Sequence, residues 1–453
     1  MLPNLLTRGM FMDGEYYATI ARNLARGQGT IWKPIFTASD LTYFYDNPPL
    51  AFWLESLFFR VLGDSYLVEK LYSFITFIIS SLLIVKIWKH TADESQYSWL
   101  PLILWVLTPL TYWGYVNNLL ENTMGLFCLL SFVLLLNAWN SKKHKLVFYI
   151  LSGISLSAGL LTKGPVGLFP LAIPAIYWMT MRRITLKDAL AATGILILVL
   201  CLCFFILWQY SPSKDALYTY FNFQVVASLK GTNVDVAKVD KYILIKELSN
   251  QFIPIFIIIG AVILTWQIWF RKYRIERQYR LAFFFLFIAI SASFPMMISK
   301  KQMIHYALCS MPFYALSAAL FILPEIRYWT CRVNFNSRYF RIFFLTMILG
   351  ITGVLGFSMT RINTNGRDKY VLDDLDIMKA ELPRGKFINC ADGTYYDFRF
   401  RAYLYRFYDI SLSTYPGVSN YFIARKEDLT KVPGGYQKIS NGTSDYFLFI
   451  KTR

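Results

Sequence analysis

Two carboxylates and three lysines stand in this chain where an apolar sequence would not ordinarily place them. The stretch Met12-Asp13-Gly14-Glu15-Tyr16-Tyr17-Ala18-Thr19-Ile20-Ala21-Arg22-Asn23-Leu24 has apolar positions at helical spacing from Tyr17, with Asp13 where an N-cap belongs. Read for chemistry, Asp13 is a carboxylate at a membrane surface, able to orient or deprotonate an acceptor hydroxyl. Read blandly, it caps the helix and Glu15 favours the helix dipole, and spacing does not choose between the two. The second acid, Glu121, follows Asn117-Asn118-Leu119-Leu120 at the head of an apolar run. Ionisable groups at membrane depth are costly and tend to face a cavity, whereas an ordinary interfacial acid merely starts a helix. Asn117, Asn118 and Asn122 make the surroundings of Glu121 polar and favour the first alternative.

The basic residues are Lys163, Lys300 and Lys301. Each falls at the helix end where cations are not expected, and an anionic lipid head group would account for them, because an ammonium stabilises charge developing on a leaving phosphate. The alternative is snorkelling to the interface. Tyr306 follows closely and is placed to hydrogen-bond the same phosphate, although an aromatic-belt tyrosine would look the same. His305 beside it reads as a bystander.

The elements that must position these groups are transmembrane. Of 453 residues, 56% are hydrophobic and only 16% charged, with a mean hydropathy of +0.40. Soluble domains carry about 25% charged residues, so the chain lacks the polar surface to cover a soluble globule of this size. Apolar segments near the roughly 20 residues that cross a bilayer begin around residues 66, 100, 121, 146, 166, 189, 252, 281, 306 and 340. The net charge of +18 follows from basic connections, which excludes the need for a nucleic-acid partner. Lys142, Lys143 and Lys145, then Arg182, Arg183 and Lys187, then Arg271 to Arg280, then Arg327 to Arg341 fall on alternate loops, which the positive-inside rule puts in the cytoplasm.

Everything else substantial lies outside: residues 1–64, the turn at Asn117 to Glu121, the turn at Lys163, the long loop 209–251 and the tail. The tail, residues 363–453, has few long apolar runs. It predicts a small α/β domain with strands near Lys386 to Cys390, Asp409 to Ser413, Tyr421 to Arg425 and Tyr446 to Lys451, and a helix near Leu372 to Glu381. Met1 to Met12 is too short to span and lacks a signal-peptide core, so a first transmembrane helix is expected upstream of this chain. Six cysteines show no CxxC spacing and three histidines are scattered, so no zinc site is expected. A divalent ion near the acids stays open, since no ligand spacing demands one.

Taken in order, these stretches resemble the GT-C glycosyltransferases, in the family that includes protein O-mannosyltransferases and lipid A aminoarabinose transferases. The matching pieces are Asp13 to Leu24, Asn47-Pro48-Pro49-Leu50 with Trp53, and Glu121 to Phe127. They continue with Leu161-Thr162-Lys163-Gly164-Pro165 and with Ser299-Lys300 leading to His305-Tyr306-Ala307-Leu308. The resemblance implies a polytopic α-helical GT-C membrane domain over residues 1–362 and an inverting transfer from a polyprenyl-phosphate sugar. The acceptor would be a lipid such as lipid A, an envelope glycan or a protein, on the outer, periplasmic face of a bacterial inner membrane.

On the same resemblance Asp13 and Glu121 are the catalytic acids, and Lys163, Lys300 and Tyr306 hold the donor phosphate. Glu15, Tyr17, Asn47, Lys301 and His305 are further candidates, and loop 209–251 would cover the site as lids do. Many relatives carry Lys or His where Asn47 stands, and aminoarabinose transferases carry Arg where Tyr16 stands. Both departures argue against aminoarabinose as the sugar. The competing readings are a transporter or flippase of polyprenyl-linked sugars, which would place polar groups near the bilayer midplane, and a structural scaffold, which leaves the lysines unexplained.

Overall fold

The computed structural model describes residues 1–452 except 40–42, 93, 232–242, 270–277, 299–301, 384 and 386. Among these residues, seven helices are long and apolar enough to cross a membrane: Tyr66–Thr91, Leu120–Asn140, Lys145–Lys163, Leu186–Trp208, Tyr279–Met297, Ile304–Thr330 and Arg338–Met359. Two bent pairs, Ser95–Val106 with Pro109–Val116 (77°) and Ile243–Gln251 with Ile253–Ile268 (50°), bring the spans to nine, and the shorter Pro165–Met181 accounts for the remaining apolar segment. Pro109 explains the first break, since it removes a backbone donor and clashes with the preceding turn.

The central pair is Leu120–Asn140 against Lys145–Lys163. A short Ser141–His144 connection makes the two helices antiparallel, and small residues at the seam let their backbones approach. Ser131 and Ser152 join hydroxyls at 2.8 Å, and the Ser155 hydroxyl donates to the Phe127 carbonyl at 2.9 Å. Because Glu121 opens the first helix and Lys163 closes the second, the two charges arrive at the same end. Phe132, Phe284, Phe285 and Phe313 fill the interior beneath them.

The last span, Arg338–Met359, is nearly all exposed, as is most of Leu186–Trp208, which suits surfaces solvated by lipid tails. Beyond it a five-stranded sheet forms in the order Ser411–Ser413, Phe387–Cys390, Tyr421–Arg425, Tyr446–Lys451, Tyr436–Lys438. The first three strands are parallel and the last two antiparallel. Its core joins Ile388, Ile423 and Leu448 to Val371, Leu372 and Leu375 of the helix Lys369–Met378 and to Phe400 and Leu404 of the helix Phe398–Tyr408. The helix Phe398–Tyr408 and the strand Tyr436–Lys438 were not anticipated from sequence.

Helix Phe398–Tyr408 lies on the helix Met12–Ala25. Arg406, 2% exposed, donates to Asp64 at 2.6 Å and to Glu69 at 3.0 Å, while Arg22 donates to the Arg406 carbonyl at 2.5 Å. The Tyr403 hydroxyl accepts from the Met10 amide at 3.1 Å and lies 2.9 Å from its carbonyl. A clasp of buried charge thus ties the C-terminal unit to the segment that leads into Asp13.

Candidate active site

Helix Met12–Ala25 begins two residues earlier than the N-cap reading allowed. Phe11 is the N-cap and Asp13 sits inside the first turn, with no capping hydrogen bond from its side chain. The capping expectation is therefore corrected. The turn before Glu121 holds the helix in place: Asn117 accepts from the Phe11 amide at 2.6 Å and donates to the Trp113 carbonyl at 2.8 Å. A Cβ at Gly14 would run into the Asn117 carbonyl, so this position must be glycine for the helix to approach. Asn118 donates to Glu55 at 2.8 Å, and Asn122 to Ser73 at 3.1 Å and Gly114 at 3.0 Å. These asparagines bond to local structure, and none of them is among the residues lining the cavity described below.

Asp13 and Tyr17, four residues apart, share one helix face, and Glu15 points away from it. On the first face, Lys163 places its ammonium 3.3 Å from Glu121 and donates to the Tyr17 hydroxyl at 3.3 Å. It also lies over the rings of Tyr17 (5.6 Å) and Tyr306 (5.4 Å). The Asp13 charge acts on Lys163, Tyr17 and Tyr306 together. The His305 Nε2 is 4.0 Å from Glu121, closer to the acid than a bystander would be. Burial, then the Asp13 charge, pushes the Tyr17 phenol well above its ordinary range, so it stays protonated. Glu121 is 1% exposed and, among the described residues, neither of its carboxylate oxygens accepts a hydrogen bond; the Lys163 ammonium at 3.3 Å is its nearer charged neighbour, with His305 at 4.0 Å.

Glu15 faces a different cluster. Its neighbours are Glu69, Lys70, Arg406 and Asp368, and burial, then the charge of Glu69, raises it to about 8. Glu55 is raised well above the carboxylate range by burial, with Glu69 adding to it. Lys70 donates to the carbonyls of Gly9 and Val116 at 3.0 and 3.1 Å. Glu15 is thus separated from the group around Lys163. Lys300 and Lys301 lie outside the described residues.

A cavity of about 510 Å³ opens from this cluster. Its long wall is apolar, built by Pro165, Val166, Leu168, Phe169, Leu171 and Ala172 with Pro295 and Met296 opposite, and its polar end carries Lys163, Tyr306, Asp46, Asn47, Tyr220 and Gln224. Asn47, one of the further sequence candidates, lines the cavity. Asp46, Tyr220 and Gln224 were missed, although Tyr220 and Gln224 stand one helical turn apart. Segment 209–251 is largely helical where described: Ser211–Tyr220 runs into a π-helical turn, Phe221–Val226, and then Ala227–Lys230. The Tyr220 hydroxyl donates to the Lys163 carbonyl at 3.1 Å. Gly164 is left-handed (φ +87°), and a Cβ there would strike that hydroxyl, which accounts for the Lys-Gly-Pro sequence.

This arrangement, a charge cluster beside an apolar cavity, occurs on a fold shared with known proteins. ArnT from Cupriavidus metallidurans, in a crystal structure with undecaprenyl phosphate, superimposes with a TM-score of 0.69 at 12% identity, covering 98% of this chain and 94% of that one. The fold is that of the GT-C glycosyltransferases. The archaeal oligosaccharyltransferase AglB from Archaeoglobus fulgidus, in complex with an inhibitory peptide and a dolichol-phosphate, shares this GT-C fold at a TM-score of 0.50 and 12% identity, over 99% of this chain and 71% of that one. Residues 46–208 match the family described as dolichyl-phosphate-mannose-protein mannosyltransferase.

An undecaprenyl phosphate-α-4-amino-4-deoxy-L-arabinose arabinosyl transferase of Wigglesworthia glossinidia brevipalpis is 25% identical over 184 residues, 39% of this chain. That match spans 31% of the relative's length. The resemblance read from the motifs is borne out in fold and in these matches, and the chain is a multi-span membrane protein with the GT-C fold. No group of three His, Cys, Asp or Glu side chains that could hold a metal occurs among the described residues.

Proposed function

We propose that this protein is a glycosyltransferase that moves a sugar from a polyprenyl-phosphate carrier to an acceptor on the periplasmic face of a bacterial inner membrane. One observation carries the reading: the buried Lys163 ammonium, shared with Glu121 and Tyr17 and within the field of Asp13, lines a largely apolar cavity of about 510 Å³. The isoprenoid tail would lie along Pro165 to Ala172, and the phosphate would meet Lys163 and Tyr306. ArnT and AglB are each recorded with such a lipid phosphate, which supports the reading. The basic connections at Lys142 to Lys145, Arg182 to Lys187 and Arg327 to Arg341 support an outer location for the cluster. Residues 1–362 would form the membrane enzyme and residues 363–453 an outer unit seated on it.

The transfer is a displacement at the anomeric carbon. The acceptor oxygen attacks, its proton passes to the Asp13 carboxylate, and the bond from the anomeric carbon to the phosphate oxygen breaks with its electron pair retained by the phosphate. Lys163 offsets the charge that develops there. In the free protein Glu121 neutralises the same ammonium, so its role is with Lys163 rather than as an aid to Asp13. The acceptor is a lipid such as lipid A, an envelope glycan or a protein. Transport is less favoured because the charges gather at one end of the helices.

The test uses purified protein with a labelled polyprenyl-phosphate sugar, reading release of free carrier phosphate. Asp13→Asn should lower the rate by roughly 10²-fold or more while the protein stays folded in the membrane. Full activity in that variant would remove the catalytic assignment.

A further inference from the structure

Residues 8–11 lead directly into helix Met12–Ala25, and much of their bonding comes from the C-terminal unit. The Arg8 amide donates to the Thr364 carbonyl at 2.9 Å, and the Gly366 amide returns a bond to the Arg8 carbonyl at 3.0 Å. Arg8 and Asn365 are thereby paired as a parallel bridge. Gly9 is left-handed (φ +90°), and a Cβ there would meet the Arg367 carbonyl. The helices on the other side complete the grip: Lys70 donates to the Gly9 carbonyl at 3.0 Å, and Asn117 accepts from the Phe11 amide at 2.6 Å.

Tyr403, on helix Phe398–Tyr408, supplies the bonds between these two ends. It is 1% exposed, and its hydroxyl accepts from the Met10 amide at 3.1 Å. The same hydroxyl lies 2.9 Å from the Met10 carbonyl and 3.0 Å from the Asp368 carboxylate. Burial pushes the phenol well above its ordinary range, so its proton stays available to those acceptors. Met10 is fully buried and immediately precedes Phe11, the N-cap. The Phe11 carbonyl accepts from the Glu15 amide at 3.2 Å, which closes the first helical turn around Asp13. A shift at Met10 therefore carries Phe11 and the Asp13 turn with it.

Such a shift would be felt in the reaction before it is felt in donor binding. A proton acceptor must stand within hydrogen-bond reach of the oxygen it serves, and a misplacement of about 1 Å can cost roughly 10²-fold in rate. The carrier phosphate, by contrast, is assigned to Lys163 and Tyr306, which stand on the helix Lys145–Lys163 and the turn Ile304–Ser310. The aim of Asp13 and the hold on the carrier are thus set by different elements.

We infer that Tyr403 is a positioning residue for the transfer, through which the C-terminal unit sets the aim of Asp13 by way of the Met10 backbone. This rests on the reading of Asp13 as the proton acceptor. The full chain in nanodiscs is given undecaprenyl phosphate carrying a labelled neutral hexose or amino-pentose, with extracted envelope membranes as acceptor, and released carrier phosphate is read. Tyr403→Phe should lower kcat at least roughly tenfold, with the donor KM and the binding of sugar-free undecaprenyl phosphate as in wild type. Added to Asp13→Asn it should bring no further loss, since it acts through that carboxylate. Tyr446→Phe removes a buried hydroxyl that donates to Asp397 at 2.6 Å elsewhere in the same unit, and should keep the wild-type kcat. Gly9→Ala pushes the same lead-in off the Arg367 carbonyl and should repeat the Tyr403→Phe result, standing in for it if that variant does not fold. A wild-type kcat in Tyr403→Phe, an equal loss in Tyr446→Phe, or losses that multiply in the Asp13→Asn background overturn the positioning role. Full activity of Asp13→Asn, or no carrier release by wild type from either donor, would instead overturn the proposed function on which the role rests.

Discussion

Within one helical turn, Asp13 and Glu15 are two carboxylates with opposite assignments. Residues two apart on a helix face nearly opposite ways, so the charge of one acts on Lys163 while the other is buried beside Glu69 and Arg406. Sequence supplied both acids but not the rotation of the helix, which is set by contacts made by Gly14, Asn117 and Tyr403, the last nearly 400 residues away. The Lys-Gly-Pro motif stood out because a lysine at a helix end away from the basic connections has few structural excuses.

Two outcomes follow at this scale. Lys163→Met should lower affinity for undecaprenyl phosphate by at least about tenfold, since a charge-assisted contact contributes roughly 1.5–3 kcal/mol, measured by titration of the carrier into detergent-solubilised protein. Glu15, raised from 4.5 to about 8, binds its proton in the folded state where the unfolded chain has released it. Its contribution is therefore fully present below about pH 4.5 and is lost as pH rises toward about 8, and Glu55 acts in the same direction. Thermal melts of wild type should fall across this window, and Glu15→Gln should flatten the fall; an unchanged slope would refute the linkage.

At the level of elements, the clasp between helix Phe398–Tyr408 and helix Met12–Ala25 decides how firmly Asp13 is held. Arg406→Met would leave the buried Glu69 and the half-exposed Asp64 without their shared cation, and should cost roughly 3–5 kcal/mol of stability. Arg406→Lys should recover only part of this, because an ammonium does not present the two-pronged geometry of a guanidinium. Denaturant or thermal unfolding of the two variants checks the order. Helix Phe398–Tyr408 escaped sequence reading because its run Phe-Arg-Phe-Arg-Ala-Tyr-Leu-Tyr-Arg-Phe-Tyr alternates bulky and basic residues like an exposed strand. Arg406 is buried where Asp64 and Glu69 from elsewhere meet it, Arg401 is buried against the Tyr395 ring, and Arg399 stays part-exposed. The spans, by contrast, were legible to within a few residues, since a bilayer demands a run of apolar length and little else.

For the whole molecule, the prediction concerns sidedness. Cys331 is exposed in the basic connection Arg327 to Arg341, which the charge pattern assigns to the cytoplasm. A membrane-impermeant maleimide should therefore label Cys331 in inverted vesicles and spare it in intact spheroplasts; the reverse pattern would turn the proposed outer site inward. The helix Arg338–Met359 leads from that connection to the C-terminal unit while touching little besides Leu2–Leu5. Its side chains answer to hydrocarbon and not to partner residues, so the helix behaves as a leash whose length matters and whose spelling does not. Scrambling its apolar residues at constant composition should leave the protein working, whereas removing a turn should pull the C-terminal unit off its seat.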